Sequence, residues 1–112
     1  MSALLEGLMI EEGNSIFHTP EYMLYIRSHL LYLKANSARV ELDAGLVYKF
    51  EYNFYSLLVE LKYPFEDFVI LLIVNGFNDP IEMTKDFRSL LVPGPEIISR
   101  LKSLYRHQNK RI

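Results

Sequence analysis

Seven consecutive residues, Phe68 to Val74 (FVILLIV), carry no polar side chain. A helix over this run is apolar on every side and must be covered nearly all round. It is far too short for a bilayer, which takes about 20 residues. The chain must therefore wrap the run with its own elements, and the flanking residues indicate how. Asn53 is placed to cap a helix with apolar positions Phe54, Leu57, Leu58 and Leu61 at i, i+3, i+4 and i+7. That helix has to end near Tyr63, because the residue before Pro64 is pushed out of helical geometry. Pro64 opens the next helix, with Glu66 and Asp67 in its first turn complementing the macrodipole. Asn75-Gly76 stops it, since Gly76 is free to adopt the left-handed cap conformation. Asp79-Pro80 marks a tight turn, and SLLVPG reads as a short strand closed by Pro93. The expected core is Phe54, Leu57, Leu58, Leu61, Phe68, Leu72 and Leu91.

Residues 1–19 are weakly patterned and read as an arm. In TPEYMLYIRSHLLYLKANS, Thr19 is an N-cap, Pro20 suits the first helical position and Glu21 the positive end of the dipole. Met23, Ile26, Leu30 and Leu33 follow helical spacing, which gives a helix over about 20–34. The strand formers in YMLYI and HLLYL make a strand the competing reading. The alternation in ARVELDAGLVYKFEY predicts a hairpin or two short strands around Asp43-Ala44-Gly45. Beyond Pro95 a final helix is expected, with Ile97, Ile98, Leu101 and Leu104 on one face. The fold class is α+β: an N-terminal arm with a short helix or strand at 1–44, a strand-helix-helix-strand module at 45–95, and a basic helix or tail at 96–112. The second helix must be short and end abruptly so that the chain can return to pair with the first strand.

At 112 residues, half of them hydrophobic, one small core can form. With no cysteine, a disulfide framework, a thiolate nucleophile and a Cys-ligated zinc site are excluded. MSALLEGLMIEEG has acids and no basic n-region, so it does not read as a secretory signal, and the chain is expected to be made in the cytoplasm. His18, His29 and His107 have no partners at metal-ligand spacing, and packing or surface roles are expected for them. Glu66 and Asp67 are explained by the helix start, and Asp79 by a bond to its own turn. The five glycines form no phosphate loop. No nucleophile, base and oxyanion hole come together, so the expectation is a protein that is not an enzyme and holds no metal or cofactor. The net charge of −2 conceals a basic end: Arg100, Lys102, Arg106, Lys110 and Arg111 lie in residues 100–112, which contain no acid. A run this short reads first as a solvated end, and binding to nucleic acid would show itself as an affinity falling steeply with salt.

The order of elements and two short motifs resemble a known family. The chain is similar to the lysin-motif fold: a helix carrying FYSLLVEL, a second helix running into Asn75, then a strand ending in Leu91, Val92 and Pro93. It resembles most the lysin-motif-like region of baseplate wedge proteins from contractile-tailed bacteriophages, matched here by VNGFNDP and LLVP within about residues 45–95. Glycan-binding lysin motifs usually open with a polar GDTL-type turn; here that place holds EYNFY, which suits burial against protein better than a sugar groove. The resemblance implies a structural virion protein that joins neighbouring tail and baseplate subunits, in multiple copies within a symmetric assembly built in the host cytoplasm. The alternative is a peptidoglycan- or glycan-binding lysin-motif protein.

Eight Tyr and seven Phe fit such contacts, since an aromatic ring offers an apolar body and Tyr adds a polar tip. Partner contacts are expected at Phe77, Asn78 and Asp79 in the turn, at Tyr52 and Tyr55 beside it, and at Arg100, Arg106 and Arg111 in the tail, where a guanidinium pairs with carboxylates. Leu4, Leu5, Leu8, Met9 and Ile10, together with the helix over 20–34, either pack on the same core or dock on a partner.

Overall fold

The computed structural model describes residues 15–109. The N-terminal arm as far as residue 14, including Leu4 to Ile10, and Arg111 at the other end lie outside the described residues. The described part is α+β, as its residue pattern requires. After a 3-10 turn at Ser15–His18 come α1 (Pro20–Ser28), α2 (Leu30–Ala35), β1 (Ser37–Glu41), α3 (Ala44–Lys49), α4 (Phe54–Glu60), α5 (Phe68–Val74), β2 (Ser89–Pro93) and α6 (Pro95–Asn109). Further 3-10 turns at Phe65–Asp67 and Pro80–Glu82 lead into α5 and out of the turn that follows it.

The apolar run is the axle of the fold. All seven residues of α5 are buried. One side, with Val69, Ile70, Ile73 and Val74, packs on Phe17, Tyr22, Ile26 and Leu33 and on Ile98, Leu101 and Tyr105 of α6. The other side, with Phe68, Leu71 and Leu72, packs on Val47 of α3, on Phe54, Leu57 and Leu58 of α4, on Phe65 and Met83, and on Leu90 of β2. Two half-cores thus share one helix, and the segment 16–35 belongs to the first of them. Of the seven expected core residues, Phe54, Leu57, Leu58, Phe68 and Leu72 are fully covered. Leu61 and Leu91 are half-buried. Leu90 is buried in the second half-core, while Leu91, on the other face of the strand, packs half-buried against the first.

The helix ends follow local chemistry. Thr19 Oγ1 accepts from the Tyr22 N–H at 3.2 Å, and Asn53 Oδ1 accepts from the Ser56 N–H at 3.2 Å. At the end of α5 the Gly76 N–H donates to the Ile73 carbonyl and the Phe77 N–H to the Leu72 carbonyl, with Gly76 at φ 86°. This is the Schellman pattern that a left-handed C′ residue permits. α4 ends the same way, through Lys62 to Val59 and Tyr63 to Leu58, but with Lys62 forced to φ 69°.

Four expectations are corrected. The helix expected over 20–34 is broken at His29, whose φ of −108° and ψ of 15° separate α1 from α2. The first strand of the module is β1 at Ser37–Glu41, ahead of the boundary placed at 45. The second strand expected over 46–52 is α3 with a following turn. Asp43, read as a turn residue, is its N-cap, accepting from the Leu46 N–H at 2.9 Å. A carboxylate in this position offers the backbone a helical start that a short alternation cannot outweigh. Leu104 is not on the buried face of α6; Ile98, Leu101 and Tyr105 are, and Leu104 is 49% exposed.

β1 and β2 pair antiparallel, from Ser37 opposite Pro93 to Glu41 opposite Ser89. The far side of β2 is closed by one side chain. The Asn75 amide nitrogen donates to the Leu91 carbonyl at 3.0 Å and to the Leu71 carbonyl at 2.7 Å, while its oxygen accepts from the Leu91 N–H at 2.7 Å. Asn75 thereby does for Leu91 what a third strand would do, and it ties the end of α5 to the closing strand.

Candidate functional site

The expected contact residues fall in two separate places. Around the turn after α5, Asn53 starts α4 so that Phe54 points inward and Tyr55 sits half-buried against the Phe68 ring, 5.1 Å between centroids. Burial, reinforced by the negative charge of Asp79, pushes the Tyr55 hydroxyl up to about 12. Asp79 Oδ1 accepts from the Ile81 N–H at 3.0 Å and so bonds its own turn. Asn78 is exposed, its N–H donating to Glu82 Oε1 at 3.1 Å. Tyr52 stands 58% exposed, held at φ 65° by a 2.7 Å bond from its N–H to the Met83 carbonyl. Phe77 differs from the others: its ring lies 5.1 Å from Phe54 and 5.2 Å from Phe87, so most of it is spent inside the fold.

The basic residues lie elsewhere, on α6 against the first half-core. Arg100 and Arg106 are both exposed. Six residues apart on a helix they diverge by about 120°, so they do not make one face. Arg106 lies over the Phe17 ring, 5.1 Å from its centroid.

Lys102 was grouped with this tail, but the fold turns it inward. Its Nζ donates to Glu66 Oε1 at 2.6 Å and to Asp67 Oδ1 at 2.7 Å. The three side chains are largely covered, and desolvation pushes the Asp67 carboxyl up even though the Lys102 ammonium pulls the other way. Glu66 and Asp67 thus anchor α6 as well as starting a helical turn. Nothing in the sequence signals this, because the partners are 35 and 36 residues apart. A cleft of about 240 Å³ opens beside this cluster, among Tyr63, Asp67, Leu71, Pro93 and Ile98. Its charged groups are already satisfied by each other.

Nearby, His18 Nε2 donates to the Phe65 carbonyl at 3.0 Å and the ring stacks on Phe65, 4.0 Å between centroids. Burial holds the His18 imidazole below its ordinary value. The Tyr22 ring packs against those of Phe17, Tyr25 and Tyr105, and its buried hydroxyl has no hydrogen-bond partner among the described residues. His29 meets Tyr25 edge-on and His107 is exposed. No group of three His, Cys, Asp or Glu among the described residues stands close enough to hold a metal.

Sequence reasoning offered the helix over 20–34 as a possible docking surface without singling out Leu24 or Leu31, and it missed Tyr48 and Ile81. Leu31, Leu24, Tyr48 and Ile81 each expose roughly two thirds or more of their surface. Leu24 and Leu31 fall between the apolar positions of their helices, and that off-face placement was the signal available. Among the described residues, no helix is long and apolar enough to cross a membrane. Comparison with protein-family models, with curated proteins and with solved structures finds no match to the chain.

Proposed function

We propose that the chain is a structural, non-enzymatic subunit of a phage tail baseplate. It would be a wedge-type component of the virion, holding neighbouring tail and baseplate proteins together in several copies. The observation that supports this reading is the contact between Asn75 and Leu91. The chain resembles baseplate wedge proteins through two motifs, VNGFNDP and LLVP, and the bonds of Asn75 make those motifs the two halves of one clasp. The clasp stiffens a small module whose chemistry lies in its outer surface. Exposed Tyr48, Tyr52, Leu24, Leu31 and Ile81 give that surface apolar material of the kind interfaces cover. The place where glycan-binding lysin motifs keep a small polar turn carries the bulky EYNFY, with Tyr52 exposed, which argues against a sugar groove.

The genes flanking the coding sequence test this first: tail and baseplate genes on both sides are expected. The purified protein should show no saturable binding to insoluble peptidoglycan. Saturable binding there would replace this reading with glycan recognition.

A further inference from the structure

Among the described residues, β1 leaves a sheet edge open. The Leu42 N–H donates to the Arg88 carbonyl and the Gly94 N–H to the Asn36 carbonyl, and the register between them sets Val40 opposite Leu90 and Ala38 opposite Val92. Bonded pairs alternate along an antiparallel ladder, so Ala38 and Val40 direct their backbone groups to β2 while Ser37, Arg39 and Glu41 direct theirs outward. The same alternation turns Leu91 outward on β2, where Asn75 closes it. Among the described residues no side chain performs that service for β1, and residues 38–41 are all exposed. An edge of this kind is a template for another strand.

We propose that this edge pairs with β1 of a second copy of the chain. The two strands run antiparallel about a two-fold axis through Val40, giving a four-stranded sheet in the order β2, β1, β1, β2. The charges on the edge favour this occupant. Arg39 and Glu41 are the outward-bonding residues, they lie on one face of the strand, and their charges are opposite. Centring the pair on Val40 places Arg39 of each copy directly opposite Glu41 of the other, twice by symmetry. Val40 then meets Val40, and Ala38 meets Leu42. A pairing centred on Arg39 would oppose two arginines, and one centred on Glu41 would oppose two glutamates, and like charges directly opposite destabilise a ladder. The pattern is self-complementary in one register, which is what a closed two-fold contact requires. In the single chain Arg39 leans toward β2, its Nη1 donating to Ser89 Oγ at 2.8 Å, and pairing requires it to turn from there to Glu41 of the second copy. This inference concerns β1 alone and does not depend on the proposed function.

A five-residue edge covers less area than a standard stable interface, so the association should be reversible and weak. Sedimentation velocity on the whole chain, from about 10 µM to about 1 mM, should show a monomer–dimer equilibrium. R39E and E41R should each weaken it by roughly tenfold or more, since each sets like charges opposite one another twice. Mixed in equal amounts, the two variants should dimerise better than either alone, because each supplies the charge the other lacks; that recovery also shows that both are folded. The proposal is overturned by a wild-type chain that stays monomeric throughout, which leaves the edge to another protein's strand or to solvent. It is equally overturned by single variants that dimerise like the wild type, or by a mixture no better than its components.

Discussion

Two left-handed residues at equivalent helix ends show how far single positions are tuned. Gly76 and Lys62 hold the same C′ place after α5 and α4, at φ 86° and 69°. A residue with a side chain is strained there by roughly 1–2 kcal/mol, a cost glycine escapes. A Cβ at Gly76 would meet nothing within 4 Å, so strain alone acts. Gly76→Ala should therefore lower unfolding stability by about 1 kcal/mol, and Lys62→Gly should raise it by up to about the same. Chemical denaturation of the two variants checks this, and equal effects of one sign would refute it. Asn75 carries more. Asn75→Ala leaves the outward N–H and carbonyl of Leu91 unpaired, which should cost about 2–3 kcal/mol by the same measurement. Gly76 was legible in the sequence, because only a stop signal follows so apolar a run. The strained Lys62 was not, since lysine carries no turn signal of its own.

At the scale of elements, α5 is shared by both half-cores, so damage to it should not stay local. Phe68 packs on Tyr55 and Phe65 and is fully covered. Phe68→Ala should cost about 3–5 kcal/mol, a large part of the stability of so small a domain. The melting temperature of the variant is the check, and a loss under about 1 kcal/mol would mean the site collapses freely. The covered patch around Phe65 also makes stability depend on pH. The folded His18 imidazole sits below its ordinary 6.5, so the unfolded chain takes up that proton first. Stability therefore falls as pH drops through 6.5 toward the lowered folded value. The Asp67 carboxyl is raised, so there the folded chain takes up the proton first, and stability recovers somewhat as pH falls from that raised value toward 3.8. In His18→Gln the decline below pH 6.5 should flatten; an unchanged slope would assign it to other groups. Of the elements that strong patterns foretold, α4, β2 and α6 stand where expected, while α5 begins only at Phe68, the expected first turn with Glu66 and Asp67 being a separate 3-10 turn at Phe65–Asp67. α3 was not foretold, because a capping Asp43 and a turn Asp43 look alike until it is known which strand β1 pairs with, and that strand lies some fifty residues on.

At the scale of the whole molecule, the long-range contacts could not be read from the sequence. The Lys102 bridge, the His18 stack and the Asn75 clasp each join segments that no local pattern links. The first two fasten α6 and the 3-10 turn at Ser15–His18 to the residues that lead into the central helix, and the third fastens β2 to its end. What was expected as an arm and a tail around a module is, over the described residues, one doubly packed unit. The candidate contact side chains remain dispersed on its surface, in keeping with a protein that touches several neighbours. The claim that this unit is a structural piece of a tail baseplate is tested most directly by disrupting its coding sequence in the genome that carries it and imaging the particles released. The account predicts particles lacking assembled baseplates, with assembly restored when the chain is supplied in trans. Particles with complete baseplates and undiminished infectivity would contradict it.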